Sequence, residues 1–176
     1  AETGFDGMQD KTAAERPDGH FLGWTPGKVP RPGVDGYAWR LPPAADLVLL
    51  MHMLPSGKPE AMKARIGLFF ADSPPTHQPY VIRIGPKDID VPAGESEYVA
   101  EDQYALPVSV DLLAVYPHAH YLGKHMQAWA ELPNGNRKDL IEIRDWDFNW
   151  QDAYQYRTPI ALPAGSVLRM RYVYDN

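Results

Sequence analysis

The sequence contains no cysteine, and this absence excludes several classes of functional site at once. Disulfides, thiolate metal ligands, iron–sulfur clusters and a cysteine nucleophile are all ruled out. A tight metal site must therefore be built from histidine, methionine, aspartate or glutamate. Histidine with the thioether of methionine favours copper, whereas histidine with carboxylates favours zinc or iron.

Long hydrophobic runs and an excess of positive charge are also missing. The longest apolar stretch, residues 47–51, is far too short to cross a bilayer, so we expect no membrane span. The formal net charge is −6, which disfavours binding to the phosphate backbone of nucleic acid, and we expect no nucleic-acid partner.

Helical patterns are scarce, and the sequence instead predicts an all-β fold. The 18 prolines and 14 glycines are scattered along the chain, which argues against long helices. One helical turn is predicted near residues 59–63. Many short strands bounded by turn residues predict an antiparallel β-sandwich of jelly-roll type. The predicted strands cover residues 36–41, 46–53, 63–71, 80–84, 96–104, 108–116, 124–132, 138–145 and 167–174.

Two histidines at the end of an apolar run are the main candidates for chemistry. His118 and His120 follow the β-branched run 108–115, and side chains of an extended segment alternate between faces. Both imidazoles should therefore project from the same face, with Ala119 on the opposite one. Two same-face histidines beside an apolar strand indicate a metal site.

The other histidines and the methionines are weaker candidates. His52 ends the apolar run 47–53, where a lone histidine is more often a hydrogen-bonded structural residue than a ligand. His125 is a third ligand or a surface residue, and the surface interpretation is favoured. His20 and His77 lie in loops without an evident role. Five methionines are possible thioether ligands by type, although core packing explains each of them better: Met51, Met53, Met62, Met126 and Met170.

An aromatic segment at residues 144–151 also allows two interpretations. Trp146, Phe148 and Trp150 are predicted to cap the sandwich, and contact with a substrate is the minority interpretation. Hydrolase motifs are missing: there is no Gly-x-Ser-x-Gly elbow and no phosphate-binding glycine loop. A zinc site resembling that of carbonic anhydrase stays open, because it too uses an alternating histidine pair on a strand.

Residues 118–124, with the sequence HAHYLGK, resemble the His-x-His-x-Leu-Gly-Lys motif of the copper type II, ascorbate-dependent monooxygenases. This family includes peptidylglycine α-hydroxylating monooxygenase and dopamine β-monooxygenase. Residues 46–58 look like the family strand that carries a single copper-binding histidine, and residues 90–95 match the turn between the two motifs. The resemblance extends from about residue 23 to the C-terminus.

The resemblance implies two jelly-roll-like domains, each with one copper. Residues 1–58 would be the C-terminal part of the first copper domain, and residues 59–176 the second, catalytic domain, truncated before its end. His118 and His120 would bind the catalytic copper, and His52 the electron-transfer copper. Ascorbate would reduce the metal, and dioxygen would hydroxylate a C–H bond of a small organic or peptide-like substrate. Such enzymes work in the periplasm or outside the cell.

Two departures from the family pattern lead us to expect a fragment that is inactive by itself. The family's electron-transfer copper needs a His-His pair upstream of His52, and residues 1–51 contain none. The methionine ligand of its catalytic copper belongs to an Asp-Glu-Met-type segment, which is missing, and Met170 does not match it. The alternative function is a non-catalytic copper-binding or interaction module. A zinc hydrolase or lyase is less favoured, because no carboxylate base is placed near the pair.

Overall fold

The structure, a computed structural model, describes residues 23–25, 27–29, 33–49 and 51–176. Contacts divide these residues into two compact units. The first unit comprises residues 33–49 and 51–81, and the second comprises residues 23–25, 27–29 and 82–176. The assignment of residues 1–58 and 59–176 to a first and a second copper domain stays a prediction.

The second unit contains six antiparallel strands and, within the described residues, no helix: β1 Tyr98–Ala105, β2 Val110–Val115, β3 Gly123–Glu131, β4 Arg137–Ile143, β5 Tyr154–Leu162 and β6 Val167–Tyr174. Four strands form one sheet in the order β1-β6-β3-β4, and β2 pairs with β5 in a second sheet. The predicted all-β sandwich is confirmed, whereas its jelly-roll connectivity stays a prediction.

Strand β6 shows why these residues form a half-buried sheet. Leu168 and Met170 are buried, while Arg169 and Arg171 point to the other face. The two arginines pair across the sheet, with Nε 2.8 Å from a carboxylate oxygen of Glu131 and 3.3 Å from one of Glu101, respectively. Apolar and charged residues thus alternate with the period of two that a one-sided sheet requires.

An Asn-Gly turn joins β3 to β4. Gly135 has a φ of +83°, a left-handed conformation that costs glycine little, and its amide donates to the Leu132 carbonyl at 2.8 Å. The Asn134 side chain accepts a hydrogen bond from the Asn136 amide at 3.0 Å. The turn therefore fixes the register of the two strands.

Two clusters of buried apolar residues form the core of the second unit. One contains Leu106, Ala130, Leu162 and Leu168, so it joins side chains of both sheets. The other cluster lies beside the start of β3 and contains Ala100, Ala119, Met126, Trp146 and Tyr174. The second cluster is the support on which the histidine-bearing segment rests.

Several sequence predictions of secondary structure are wrong. Strand β5 was not predicted. Its Pro159 removes a backbone donor, which is unfavourable within a regular strand. It is tolerated here because it lies where the β2–β5 register shifts, between the pairs Leu112–Ile160 and Ala114–Gln155. The helical turn at residues 59–63 does not form.

The four predicted strands 36–41, 46–53, 63–71 and 80–84 also do not form in the described residues; residue 50 lies outside them. The apolar side chains of 46–53 and 63–71 are largely exposed, as at Val48 (63%) and Phe69 (95%), whereas Ile82 and Ile84 are partly buried against the core of the second unit. Tyr37 makes one isolated parallel bridge to His77. A strand-like sequence becomes a strand only when a neighbouring strand accepts its backbone hydrogen bonds, and the described first unit supplies no such ladder.

Candidate metal centre

The segment between β2 and β3, residues 116–122, carries the histidine pair. Its side chains alternate in burial although it is not part of a strand: Pro117 and Ala119 are buried, whereas Tyr116, His118 and His120 are exposed. Extended backbone continues the two-residue period beyond the end of β2. The structure therefore places both imidazoles on the solvent side of the segment and anchors the alternate residues in the protein.

The two imidazole rings are close enough to share one ion. Their centroids are 5.3 Å apart and their planes are nearly perpendicular, at 86°. With metal–nitrogen bonds of about 2.0–2.1 Å, two imidazoles on one ion have centroids about 5 Å apart. The separation between the His118 and His120 rings thus lies close to the separation that joint ligation requires.

A buried glutamine fixes the protonation pattern of His118. Gln151 is only 1% exposed, and its amide Nε2 donates to the Phe148 carbonyl at 2.7 Å. That carbonyl can only accept, so the other amide atom, Oε1, faces His118 Nδ1 at 2.7 Å. His118 Nδ1 therefore carries the proton and donates it, which leaves the lone pair of Nε2 available for a metal.

The turn after His120 packs too tightly for a side chain at Gly123. A Cβ atom there would lie 2.9 Å from Cδ1 of Trp146 and 3.0 Å from the Cβ of Ala119. It would also lie 3.2 Å from Cε of Met126, which is fully buried. Glycine at this position thus lets the histidine segment lie directly on the core.

Lys124 ties the same turn to neighbouring loops. Its Nζ lies 2.7 Å from a carboxylate oxygen of Glu97 and 3.9 Å from one of Asp175. The hydrogen bond from Lys124 lowers the pKa of Glu97, and the same bond raises the pKa of Lys124. The lysine of the HAHYLGK motif therefore has a structural role, as a surface ion pair beside the start of β3.

Hydrogen bonds from Thr25 and Tyr116 stabilise the loop that carries Gln151. The Thr25 hydroxyl donates to the Gln151 carbonyl at 3.0 Å, and the Tyr116 hydroxyl donates to Thr25 Oγ1 at 3.1 Å. Gly27 has a φ of +84°, and a Cβ there would lie 2.9 Å from the Asn149 carbonyl oxygen. Residues 23–25 and 27–29 thus pack against this loop.

Tyr172 lies beneath the pair. Burial raises the pKa of the Tyr172 phenol to about 12, and a hydrogen bond with the backbone of His118 acts in the opposite direction. The phenol is therefore uncharged at neutral pH, and it supports the His118 backbone from below.

Of the other described histidines, His125 alone belongs to the same unit as the pair, and it does not join the pair. His125 Nε2 lies 3.3 Å from Glu142 Oε1 at the surface of the β3–β4 sheet. His77 is exposed, hydrogen-bonded to Thr76 and stacked on Tyr37 with centroids 4.8 Å apart. His52 is exposed and belongs to the first unit, so its predicted role in an electron-transfer copper site stays a prediction. His20 lies outside the described residues.

The methionine candidates fall into two groups. Met126 and Met170 are buried in the core, as the packing interpretation requires, whereas Met51, Met53 and Met62 are about half exposed or more. Over the part of the chain that the structure describes, no group of three or more histidine, aspartate or glutamate side chains converges in a metal-binding arrangement. The candidate centre is thus a two-histidine site.

Gln151 is the residue that sequence reasoning missed. It stands at the end of the aromatic segment, and a single glutamine has no pattern that would distinguish it from a surface residue. Trp146 is buried, as predicted for a capping aromatic, but Phe148 lies against His120 with ring centroids 5.8 Å apart. The aromatic segment therefore serves both the core and the centre.

Comparison with known proteins assigns no family: no protein-family model and no curated protein sequence matches the chain. No helix among the described residues is long and apolar enough to cross a membrane. The case for a function therefore depends on the residues of the centre.

Proposed function

We propose that this chain is part of a copper-dependent, ascorbate-using monooxygenase that hydroxylates a C–H bond of a small organic or peptide-like substrate with dioxygen. The observation that carries the proposal is the arrangement of His118 and His120. Both are exposed, their ring centroids lie 5.3 Å apart, and the buried amide of Gln151 holds His118 with Nε2 free. An imidazole held in this way is ready to ligate a transition metal.

The donor set fits copper. Imidazole suits copper, zinc, iron and nickel, and the chain has no thiolate that would favour an iron–sulfur or structural zinc site. Catalytic zinc usually has three protein ligands, and the described residues bring only two histidines together. The HAHYLGK motif supplies the further argument for copper, through its resemblance to the monooxygenase family.

The protein's own residues have distinct tasks in this proposal. His118 and His120 hold the metal through ring nitrogens, and Gln151 orients the first ring. Ala119 and Gly123 anchor the segment on the core, which holds the two rings in place for a metal. Copper, when bound, supplies the one-electron chemistry that activates dioxygen. Exposure of both rings leaves the remaining coordination positions accessible to small molecules.

The electron supply and the cellular location follow from the family resemblance. Ascorbate is the proposed reductant, and His52 is the proposed ligand of the electron-transfer copper. Periplasmic or extracellular location agrees with the use of these cofactors. Each of these points is a proposal that depends on the copper assignment.

Copper titration of single variants tests the assignment. In calorimetric titrations with Cu(II), His118→Ala and His120→Ala should each weaken binding at least about tenfold, because each removes one of two ligands. His77→Ala and His125→Ala are matched controls, since both change a histidine outside the pair, and they should leave the affinity unchanged. Equal affinities for all four variants and the unchanged protein would refute the assignment.

A non-catalytic copper-binding module is the second candidate. It is favoured by the presence of only two converging ligands in the described residues. The sequence of the encoding gene on either side of this chain distinguishes the two functions. An upstream His-His pair and a downstream Asp-Glu-Met segment support the enzyme, and their absence supports the module.

A further inference from the structure

We infer that residues 23–25 and 27–29 form a strap that regulates the metal centre, and that Thr25 is the positioning residue of this strap. While the strap is in place, Thr25 holds Gln151 at the point from which it orients His118. When the strap is displaced, the His118 ring loses that orientation and the centre binds metal more weakly. This inference rests on the proposed function, which it deepens by naming a regulation of the same site.

The Thr25 side chain joins the two chain segments that form the centre. Its hydroxyl donates to the Gln151 carbonyl at 3.0 Å and accepts from the Tyr116 hydroxyl at 3.1 Å. Tyr116 lies two residues before His118 on the β2–β3 connection, and Gln151 lies in the β4–β5 loop. Because His118 Nδ1 and Gln151 Oε1 are 2.7 Å apart, these four residues close a ring of contacts. Thr25 is the member of the ring that comes from the strap.

This ring of contacts connects the strap to the metal-binding nitrogen. Thr25 holds the backbone of Gln151, and the side chain of Gln151 contacts His118 Nδ1 and the Phe148 carbonyl. Hydrogen bonds weaken steeply with angle, so a shift of the Gln151 backbone lengthens or bends its contact with His118. Without that acceptor, the His118 proton is no longer confined to Nδ1 and can occupy Nε2. Displacement of the strap therefore acts on His118 through one intermediate residue.

Gly27 lets the strap lie directly on the β4–β5 loop. Its φ is +84°, and a Cβ atom there would lie 2.9 Å from the Asn149 carbonyl oxygen and 3.0 Å from Trp150 Cα. Lys28 adds a contact with the other segment, because its Nζ lies 5.5 Å from the centroid of the Tyr116 ring. The strap thus fits closely against both segments that form the centre.

The strap is also held loosely enough to leave without unfolding the sheets. Among the described residues, its one backbone–backbone hydrogen bond is internal, from the Lys28 amide to the Thr25 carbonyl at 3.0 Å. Trp24 is 70% exposed and Val29 is 61% exposed, so neither side chain is anchored in the core. Segments with few buried apolar contacts open at a lower free energy than core strands do. The fold therefore allows two states of the centre, with the strap in place or displaced.

Variants of Thr25 test the inference on the whole chain. Thr25→Val keeps the shape of the side chain and removes the hydroxyl. In ¹H–¹⁵N NMR of the metal-free protein, well above the ordinary histidine pKa, part of the His118 population should then be protonated at Nε2. Copper affinity should fall about three- to tenfold, less than for a direct partner of a ligand. Thr25→Ser keeps the hydroxyl and should behave as the unchanged protein does.

Thr158→Val is the matched control for Thr25→Val, because Thr158 is an exposed threonine of β5. It should change neither the His118 tautomer nor the copper affinity. A folded Thr25→Val protein with an unchanged His118 tautomer would overturn the inference. A change of the same size in Thr25→Ser would also overturn it, because the hydroxyl is then not what positions Gln151.

Gly27→Ala displaces the strap by a different route. The new Cβ would clash with the β4–β5 loop, so this variant should shift the tautomer and lower copper affinity as Thr25→Val does. Gly94→Ala is its control, because Gly94 has a similar φ of +82° with open space around it, and it should change neither quantity. Equal tautomer populations in the two variants would contradict the strap.

The two readouts separate this inference from the proposed function. The His118 tautomer is measured without metal, so it reports on the strap whether or not copper binds. If the unchanged protein fails to bind copper, the proposed function is refuted. If copper binds but the tautomer does not respond to Thr25→Val, only the strap is refuted.

Discussion

Replacing Gln151 should disturb the histidine centre without touching either histidine. Methionine has a similar length and no hydrogen-bonding amide, so Gln151→Met removes the 2.7 Å contact with His118 Nδ1 and the 2.7 Å contact with the Phe148 carbonyl. Each lost hydrogen bond costs about 1 kcal/mol net, and more if the remaining partner stays unsatisfied. We expect the free energy of unfolding to fall by about 1–3 kcal/mol.

The effect on metal binding should exceed what this stability loss explains. Outer-shell partners of metal-ligating histidines typically change metal affinity about 10–100-fold when mutated, which is about 1.4–2.7 kcal/mol. The reason is the tautomer: once Nδ1 loses its acceptor, the His118 proton can move to Nε2, the nitrogen that the metal needs. Part of the binding free energy must then restore the correct tautomer and ring orientation.

Long-range ¹H–¹⁵N NMR of the metal-free protein labelled at histidine reads the tautomer directly. The unchanged protein should show His118 protonated at Nδ1, and Gln151→Met should show a substantial fraction protonated at Nε2. Gln151→Glu keeps an acceptor towards His118 and should retain the Nδ1–H form. Gln127→Met, on the solvent face of β3, is the control for the substitution itself. A folded Gln151→Met protein with unchanged tautomer and copper affinity would refute the reasoning.

Three further predictions concern stability. Gly123→Ala should lower the free energy of unfolding by about 1–3 kcal/mol and weaken copper binding, because the new Cβ would lie 2.9 Å from Trp146. Gly85→Ala is the control, since Gly85 has open space around it, and it should leave stability and copper affinity unchanged. Thermal melts and copper titrations measure the two quantities. Leu106→Ala should cost about 2–5 kcal/mol in denaturant unfolding yet leave copper affinity unchanged, because Leu106 lies in the other core cluster. Glu97→Gln should lower stability at pH 7 but not at a pH well below the lowered pKa of Glu97. The pKa of Glu97 is lowered in the folded protein, so its contribution is present above the carboxyl's ordinary pKa and is lost as the pH falls through the lowered value. Each prediction is contradicted if the variant is as stable as the unchanged protein under the conditions in which a loss is expected.

Much of the sandwich was predictable, because the alternation of apolar and polar residues in its strands is visible in the sequence. In β6, buried apolar residues alternate with arginines. The Asn134–Gly135 pair indicates the hairpin between β3 and β4. Strand β5 was not predicted. Pro159 is unfavourable in a regular ladder, and only the structure shows that it lies at a register shift. Conversely, the apolar runs of the first unit have the composition of strands but no neighbouring strand to pair with in the described residues. Composition alone does not show whether a neighbouring strand is present.

The centre was predictable in part for the same reason. A two-residue spacing predicts two side chains on one face, and the structure places His118 and His120 there with a buried Ala119 between them. The hydrogen-bond partner of His118 is Gln151, which is 33 residues away in sequence, so no local sequence pattern indicates the contact. The contact between Phe148 and His120 likewise depends on how the β4–β5 loop folds back, which is a tertiary property.

Electron paramagnetic resonance of the Cu(II)-loaded protein tests the central claim most directly. With histidine nitrogens labelled as ¹⁵N, the spectrum of the unchanged protein should show hyperfine coupling to two imidazole nitrogens. The variant carrying both His118→Ala and His120→Ala should lose that coupling and the tight site with it. An identical spectrum from the double variant would show that copper binds elsewhere, and the proposed oxygenase centre would be contradicted.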